Sequence, residues 1–145
     1  MALPISSERF RFLFRQERGT IDQRTWLGGT VALAATWLLI YLANLAADHA
    51  GGITKVGVTS LFVLATMVVA ACYYFLSAKR FADRGRPRAL AIVLPATGFV
   101  AAALSFMQPA QGGTFPLWLA YVADAALVAV AIWNIIELGF MAERR

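Results

Sequence analysis

Five bases and one acid crowd into ten residues: Lys79-Arg80-Phe81-Ala82-Asp83-Arg84-Gly85-Arg86-Pro87-Arg88. The planar fork of an arginine matches the oxygens of a phosphate. A helix N-terminus, for which Pro87 is well placed, also favours anions. Lys79, Arg80, Arg84, Arg86 and Arg88 therefore form a candidate site for anionic lipid. The competing reading is a topology determinant whose shape is fixed by Asp83 pairing with Arg80 or Arg86. Gly85 allows the positive φ that a turn into the next helix needs. Nothing here has the form of a nucleotide-binding glycine loop.

A second candidate is Asp124, the one ionisable side chain well inside an apolar run. It lies about 12 Å from the outer end of that run at ~1.5 Å per residue. A carboxylate at mid-helix costs about 2.5–3.5 kcal/mol on insertion scales, so it has a reason to be there. Asn134, Asn44 and Tyr41 are the other intramembrane polar groups singled out, and the expected partners of Asp124 are Tyr41, Trp37, Thr66 or Thr97. A hydrogen-bonded staple between helices is the structural reading; a proton or cation relay is the functional one. Elsewhere the chemistry is sparse. Cys72 is the single cysteine and His49 the single histidine, so no cysteine-based metal site is expected and His49 reads as a loop residue. No carboxylate pair or nucleophile–base set is visible, and no catalytic residue, metal or cofactor is expected.

These residues are positioned by apolar runs that fill most of the chain. The sequence is 60% hydrophobic and 14% charged, against about 25% charged for a soluble domain. Spans are predicted at about 26–47, 56–76, 89–107 and 116–136, each close to the ~20 residues that cross ~30 Å of hydrocarbon. The first run begins after a charged N-terminal segment and is too long for a cleaved signal. Arg9, Arg11, Arg15, Arg18 and Arg24 precede it. Only Lys55 falls between the first two runs, and no base falls between the last two. The segment 79–88 lies between the second and third, and Arg144 and Arg145 end the chain. Basic residues stay on the cytoplasmic side, so both termini and residues 79–88 are expected there. The net charge of +5 then reads as contact with headgroups rather than with nucleic acid.

In residues 1–25, Ser6 or Ser7 can cap a helix whose Phe10, Leu13 and Phe14 share one face, with Arg11, Arg15 and Arg18 on another. That is the pattern of a helix lying in the membrane interface. Gly19 ends it and Asp22 can cap the first span. Gly28, Gly29, Ala32, Ala35 and Thr36, and later Gly98, Ala102 and Ser105, form small-residue stripes that let helices approach. Pro95 should kink or break the third span. Trp26, Trp37, Trp118 and Trp133 read as interface anchors. Met67, Met107 and Met141 read as packing residues.

Arg80-Phe81-Ala82-Asp83-Arg84-Gly85-Arg86 resembles the R-L-H-D-x-G-R segment of a bacterial inner-membrane family called "domain of unknown function 805". Gly19-Thr20-Ile21-Asp22-Gln23-Arg24-Thr25-Trp26-Leu27-Gly28 resembles that family's stretch ahead of the first span. Ile136-Glu137-Leu138-Gly139-Phe140 resembles its ending of the last. Thr20 and Gln23 stand where the family often has arginine, and Ala82 where it has histidine. The resemblance implies four helices in a bacterial cytoplasmic membrane.

The expected fold is an all-α membrane protein. Four transmembrane helices form an antiparallel bundle, with a short amphipathic N-terminal interfacial helix over residues 1–25, a membrane domain over 26–141 and a tail at 142–145. The expected role is non-enzymatic: a structural or accessory protein binding anionic lipid, a larger membrane complex or further copies of itself. The alternative is a small oligomeric transporter, channel or proton-coupled device using Asp124.

Overall fold

The computed structural model describes residues 7–15, 19–47, 52–107 and 116–141. Among them every regular element is helical. Helix α1 spans Ser7–Arg15, α2 Gln23–Ala47 and α3 Gly52–Asp83. A 3₁₀ turn, Arg88–Ile92, leads into α4, Val93–Phe106. Helix α5, Leu117–Asn134, continues into a π-helical segment, Ile135–Phe140. Four stretches are long and apolar enough to cross a membrane: Gln23–Ala47, Gly52–Asp83, Arg88–Ser105 and Leu117–Phe140. The chain is thus a multi-pass membrane protein. Ser6, the side chain of Ser7, Arg18, and the segments carrying His49, residues 108–113 and the C-terminal arginines lie outside the described residues.

Local chemistry explains most helix boundaries. Asp22 caps α2: its carboxylate accepts the Thr25 N–H at 3.3 Å, and its carbonyl accepts the Trp26 N–H at 3.0 Å. Hydrogen bonding from Thr25 holds the Asp22 carboxyl below its ordinary value. Pro116 and Pro87 precede α5 and the 3₁₀ turn in extended conformations, as residues that lack an N–H should. Pro95 falls in the first turn of α4, where its missing donor has no intrahelical partner to lose. The break it was expected to mark sits just before it, at the 3₁₀-to-α junction.

Helix α3 corrects the sequence reading. Residues 79–83 are helical rather than part of a loop, and α3 runs 32 residues. That is about 48 Å at ~1.5 Å per residue, well beyond ~30 Å of hydrocarbon. Its end is a Schellman motif. Gly85 takes φ +66°, Arg86 N–H donates to the Phe81 carbonyl at 2.8 Å, and Gly85 N–H to that of Ala82 at 3.0 Å.

Helix α2 lies along α3 and α4 along α5, while α3 makes few contacts with α4 itself. The two pairs join chiefly where α3 meets the 3₁₀ turn and where α2 meets the π-helical segment. Apolar side chains along the helix middles, among them Leu39, Leu61, Val68 and Val122, remain exposed. The core sits instead at the basic end, where Leu13, Ile21, Trp26, Leu76, Ala78, Phe81, Ala91 and Leu138 form one buried cluster. Trp26 is therefore not an interface anchor. It is 1% exposed, and its indole N–H donates to Ser77 Oγ at 3.2 Å. Trp118 is 61% exposed.

Of the adjacent glycines in α2, one is fixed by packing. A Cβ on Gly29 would stand 2.7 Å from Leu76 Cδ2, and Leu76 is fully buried; a Cβ on Gly28 would meet nothing within 4 Å. Gly29→Leu is expected to destabilise the folded chain by about 1–3 kcal/mol through overpacking. Gly28→Leu should leave stability unchanged or raise it by up to about 1 kcal/mol, from helix propensity. Unfolding titrations in mild detergent measure both, and equal effects would refute the assignment. A second outcome concerns pH. Because the Asp22 pKa is lowered on folding, its cap is complete above the ordinary carboxylate value and is lost as pH falls through the folded one. Protection of the Thr25 and Trp26 amides against exchange should fall in acid below about pH 4. Asp22→Asn should remove that acid dependence.

Candidate functional site

A helix ends with carbonyls that have no partner inside it, and at the basic end of the molecule two such ends converge on α3. At the close of α5, three consecutive carbonyls are taken by side chains. Arg84 Nη1 donates to the Glu137 carbonyl, Arg80 Nε to that of Leu138 at 3.1 Å, and Gln23 Nε2 to that of Gly139. At the close of α1, Lys79 Nζ donates to the carbonyls of Phe12 and, at 2.9 Å, of Leu13. The same ammonium lies 4.9 Å from the centre of the Phe12 ring. The cationic end of α3 thus caps two helix C-termini at once, the sign that the helix dipole favours.

Acids complete the cluster. Arg80 pairs with Asp83 one turn on, which is one of the two pairings expected. Glu137 lies 3.1 Å from Arg84 Nη1 and 3.5 Å from Arg86 Nε. Arg84 Nη2 also reaches Met141 Sδ at 3.4 Å, so Met141 is more than filler. Behind these charges, Tyr73 donates to Asn134 Oδ1 at 3.2 Å, and Asn134 Nδ2 donates to the Val130 carbonyl at 3.1 Å. Phe81 stacks on Trp133 with ring centres 5.9 Å apart.

The basic residues therefore divide. Lys79 and Arg80 are fully buried and Arg84 nearly so, with their donors on backbone carbonyls or on Asp83 and Glu137. They are not an outward-facing patch, because the carbonyls that occupy them come from α1 and α5. Arg86, with 54% of its side chain exposed, and the half-buried Arg88 remain at the surface. Among the described residues, no group of three or more His, Cys, Asp and Glu is placed to hold a metal ion.

Asp124 is elsewhere. It stands exposed on the outer side of α5, and no described residue hydrogen-bonds or pairs with it. The partners expected for it lie elsewhere. Tyr41 stacks on Trp37 at 5.4 Å, with Phe62 beside both. The Thr97 hydroxyl donates to its own helix, to Val93 and Leu94. Thr66 lines a 320 Å³ cavity between α2, α3 and α4 together with Thr30, Trp37 and Tyr73, away from Asp124. Asn44 is half-buried on α2, and its Oδ1 has no partner among the described residues. Of the four intramembrane polar groups singled out in the sequence, Asn134 alone forms an interhelical staple among the described residues, with Tyr73.

Sequence reasoning missed Gln23, Tyr73 and Ser77 as partners in this cluster. It also missed that α3 reaches Asp83. A signal for the latter existed: Gly85 two residues before Pro87 is the pattern of a glycine C-terminal cap followed by a helix breaker. No family model, curated protein or solved structure matches the chain.

Replacing Lys79 by Met should release α1 alone, so that amides 10–15 exchange faster while those of α3 and α5 keep their protection. Arg80→Met should cost about 3–5 kcal/mol, since it strands a buried pair and an uncapped carbonyl. Arg80→Lys should fail to restore it, because an ammonium lacks the fixed fork that serves Asp83 and Leu138 together. Hydrogen exchange and detergent unfolding read these outcomes; global unfolding of Lys79→Met would contradict the assignment.

Proposed function

We propose that this chain is a non-enzymatic accessory membrane protein that joins a larger membrane assembly, with its basic end on an anionic lipid surface. In this reading the four spans form an antiparallel bundle in a bacterial cytoplasmic membrane, with both termini cytoplasmic and α1 lying in the interface. The observation that carries it is Asp124, a carboxylate exposed on the outer side of a membrane-spanning helix. Facing lipid, it would carry the insertion penalty of about 2.5–3.5 kcal/mol with no compensating bond. A polar group from another chain removes that penalty. Around it, Tyr121, Ala125 and Val128 are also exposed, a surface on which a second helix can approach closely. At the other end, the buried cations serve helix termini, which favours a structural over a catalytic role. Arg86 and Arg88, with the exposed Arg11, Arg15 and Arg24, are the charges left for headgroups, each worth roughly 1 kcal/mol near an anionic surface.

The same outward position favours one alternative, an oligomeric transporter in which Asp124 lines a path between copies. Native extraction of the full chain, followed by sizing, separates the readings. The wild type should run within a larger assembly, Asp124→Leu should run as a monomer, and Asp124→Asn should stay assembled by keeping a hydrogen-bonding group. A monomeric wild type, or an unchanged Asp124→Leu, would overturn the proposal. An assembled Asp124→Asn that has lost a flux carried by the wild type would favour the transporter.

A further inference from the structure

A groove runs between α1, α2 and α3, with a volume of 790 Å³, within the range of small-molecule sites. Phe10 and Phe14 wall it from α1, Gly28 and Ala32 from α2, and Val68 and Cys72 from α3. Its polarity is one-sided. Arg24 is the charged residue along it, placed at the start of α2, and the lining continues to Thr36. That separation is about 18 Å at ~1.5 Å per residue. The Thr36 hydroxyl is turned back onto the Ala32 carbonyl at 2.8 Å, so the deep end offers no free donor. A guanidinium at one end of a long apolar trough matches a ligand with one anionic head and one hydrocarbon tail.

We propose that this groove holds one anionic glycerophospholipid, its phosphate at Arg24 and one acyl chain along α2 toward Thr36. The inference deepens the lipid-binding part of the reading above and rests on the chain spanning a bilayer. It moves the specific site from residues 79–88 to α1 and the first half of α2. Gly28 is the opening that makes room: a Cβ there meets nothing within 4 Å. Because Lys79 holds α1 in place through the Phe12 and Leu13 carbonyls, the lipid would lie beneath a helix that the protein itself pins down.

The test is native mass spectrometry of the full chain in mild detergent, supplied with phosphatidylglycerol or phosphatidylcholine of the same acyl chains. The wild type should retain one phosphatidylglycerol. Arg24→Gln should retain it about tenfold more weakly, the scale of one lost charge-assisted bond. Gly28→Phe should abolish retention by filling the groove, while keeping the thermal unfolding of the wild type. Gly57→Phe on α3, where added bulk also meets nothing within 4 Å, should retain the lipid normally. An acyl-diazirine phosphatidylglycerol should cross-link to α1, α2 or residues 68–72. Equal retention of phosphatidylcholine, unchanged retention in Gly28→Phe, or cross-links confined to α4 and α5 would each overturn the proposal. Binding of the purified chain to anionic vesicles is measured separately. If it persists in Gly28→Phe, the general surface reading stands whatever happens at the groove.

Discussion

A guanidinium or ammonium taken out of water loses hydration worth several kcal/mol, and a charge-assisted hydrogen bond returns about 1.5–3 kcal/mol. Lys79, Arg80 and Arg84 therefore remain buried because each makes more than one such contact, and helix C-terminal carbonyls are the acceptors within reach. The dipoles of α1 and α5 add attraction of the same sign. On these magnitudes the cluster comes close to breaking even in stability. What it fixes is geometry, since the carbonyls that Lys79, Arg80 and Arg84 bind are brought to them by the docking of α1 and of the π-helical segment against α3.

That constraint matters more here than in a soluble protein. In hydrocarbon the helix flanks gain little by leaving the solvent, because lipid tails are as apolar as the side chains. The mid-helix surfaces of the two pairs, α2 with α3 and α4 with α5, accordingly remain largely exposed. The pairs are joined at the basic end, where water and headgroups supply a driving force for burial and where Trp26, Leu76, Phe81 and Leu138 close around the cations. The π-helical winding of residues 135–140 belongs to the same arrangement. It occurs where three successive carbonyls are bound by side chains from α2 and α3 and its neighbouring turn, and such wide turns occur where outside partners compete for the backbone.

The polar residues at membrane depth sort by direction. Asn134 points inward and is satisfied by Tyr73; Asp124 points outward and is satisfied by no described residue. The two are ten positions apart, and that spacing puts them about 80° apart around a 3.6-residue helix, enough to place one in the core and one on the outer surface. Inward polarity builds the fold and outward polarity needs something outside it, which is why Asp124 carries the argument for assembly while Asn134 does not. Gly28 and Gly29 divide in the same way, one open to a groove and the other pressed against Leu76.

The sequence by itself determined what is local. Span length and apolarity are properties of single segments when hydrocarbon is the solvent, so all four membrane-crossing helices could be read directly. The turn glycine at 85, the extended prolines at 87 and 116, and the cap at Asp22 each depend on no more than a few neighbouring residues. Tertiary structure decided everything that depends on a partner far along the chain. Whether Arg80 faces a headgroup or a carbonyl turns on Leu138, 58 residues away, and whether Lys79 is solvated turns on the backbone of α1. Whether Asp124 is a staple depends on which side of α5 meets α4. A charge pattern records how many cations stand at a membrane face, but not which helix ends arrive to bind them.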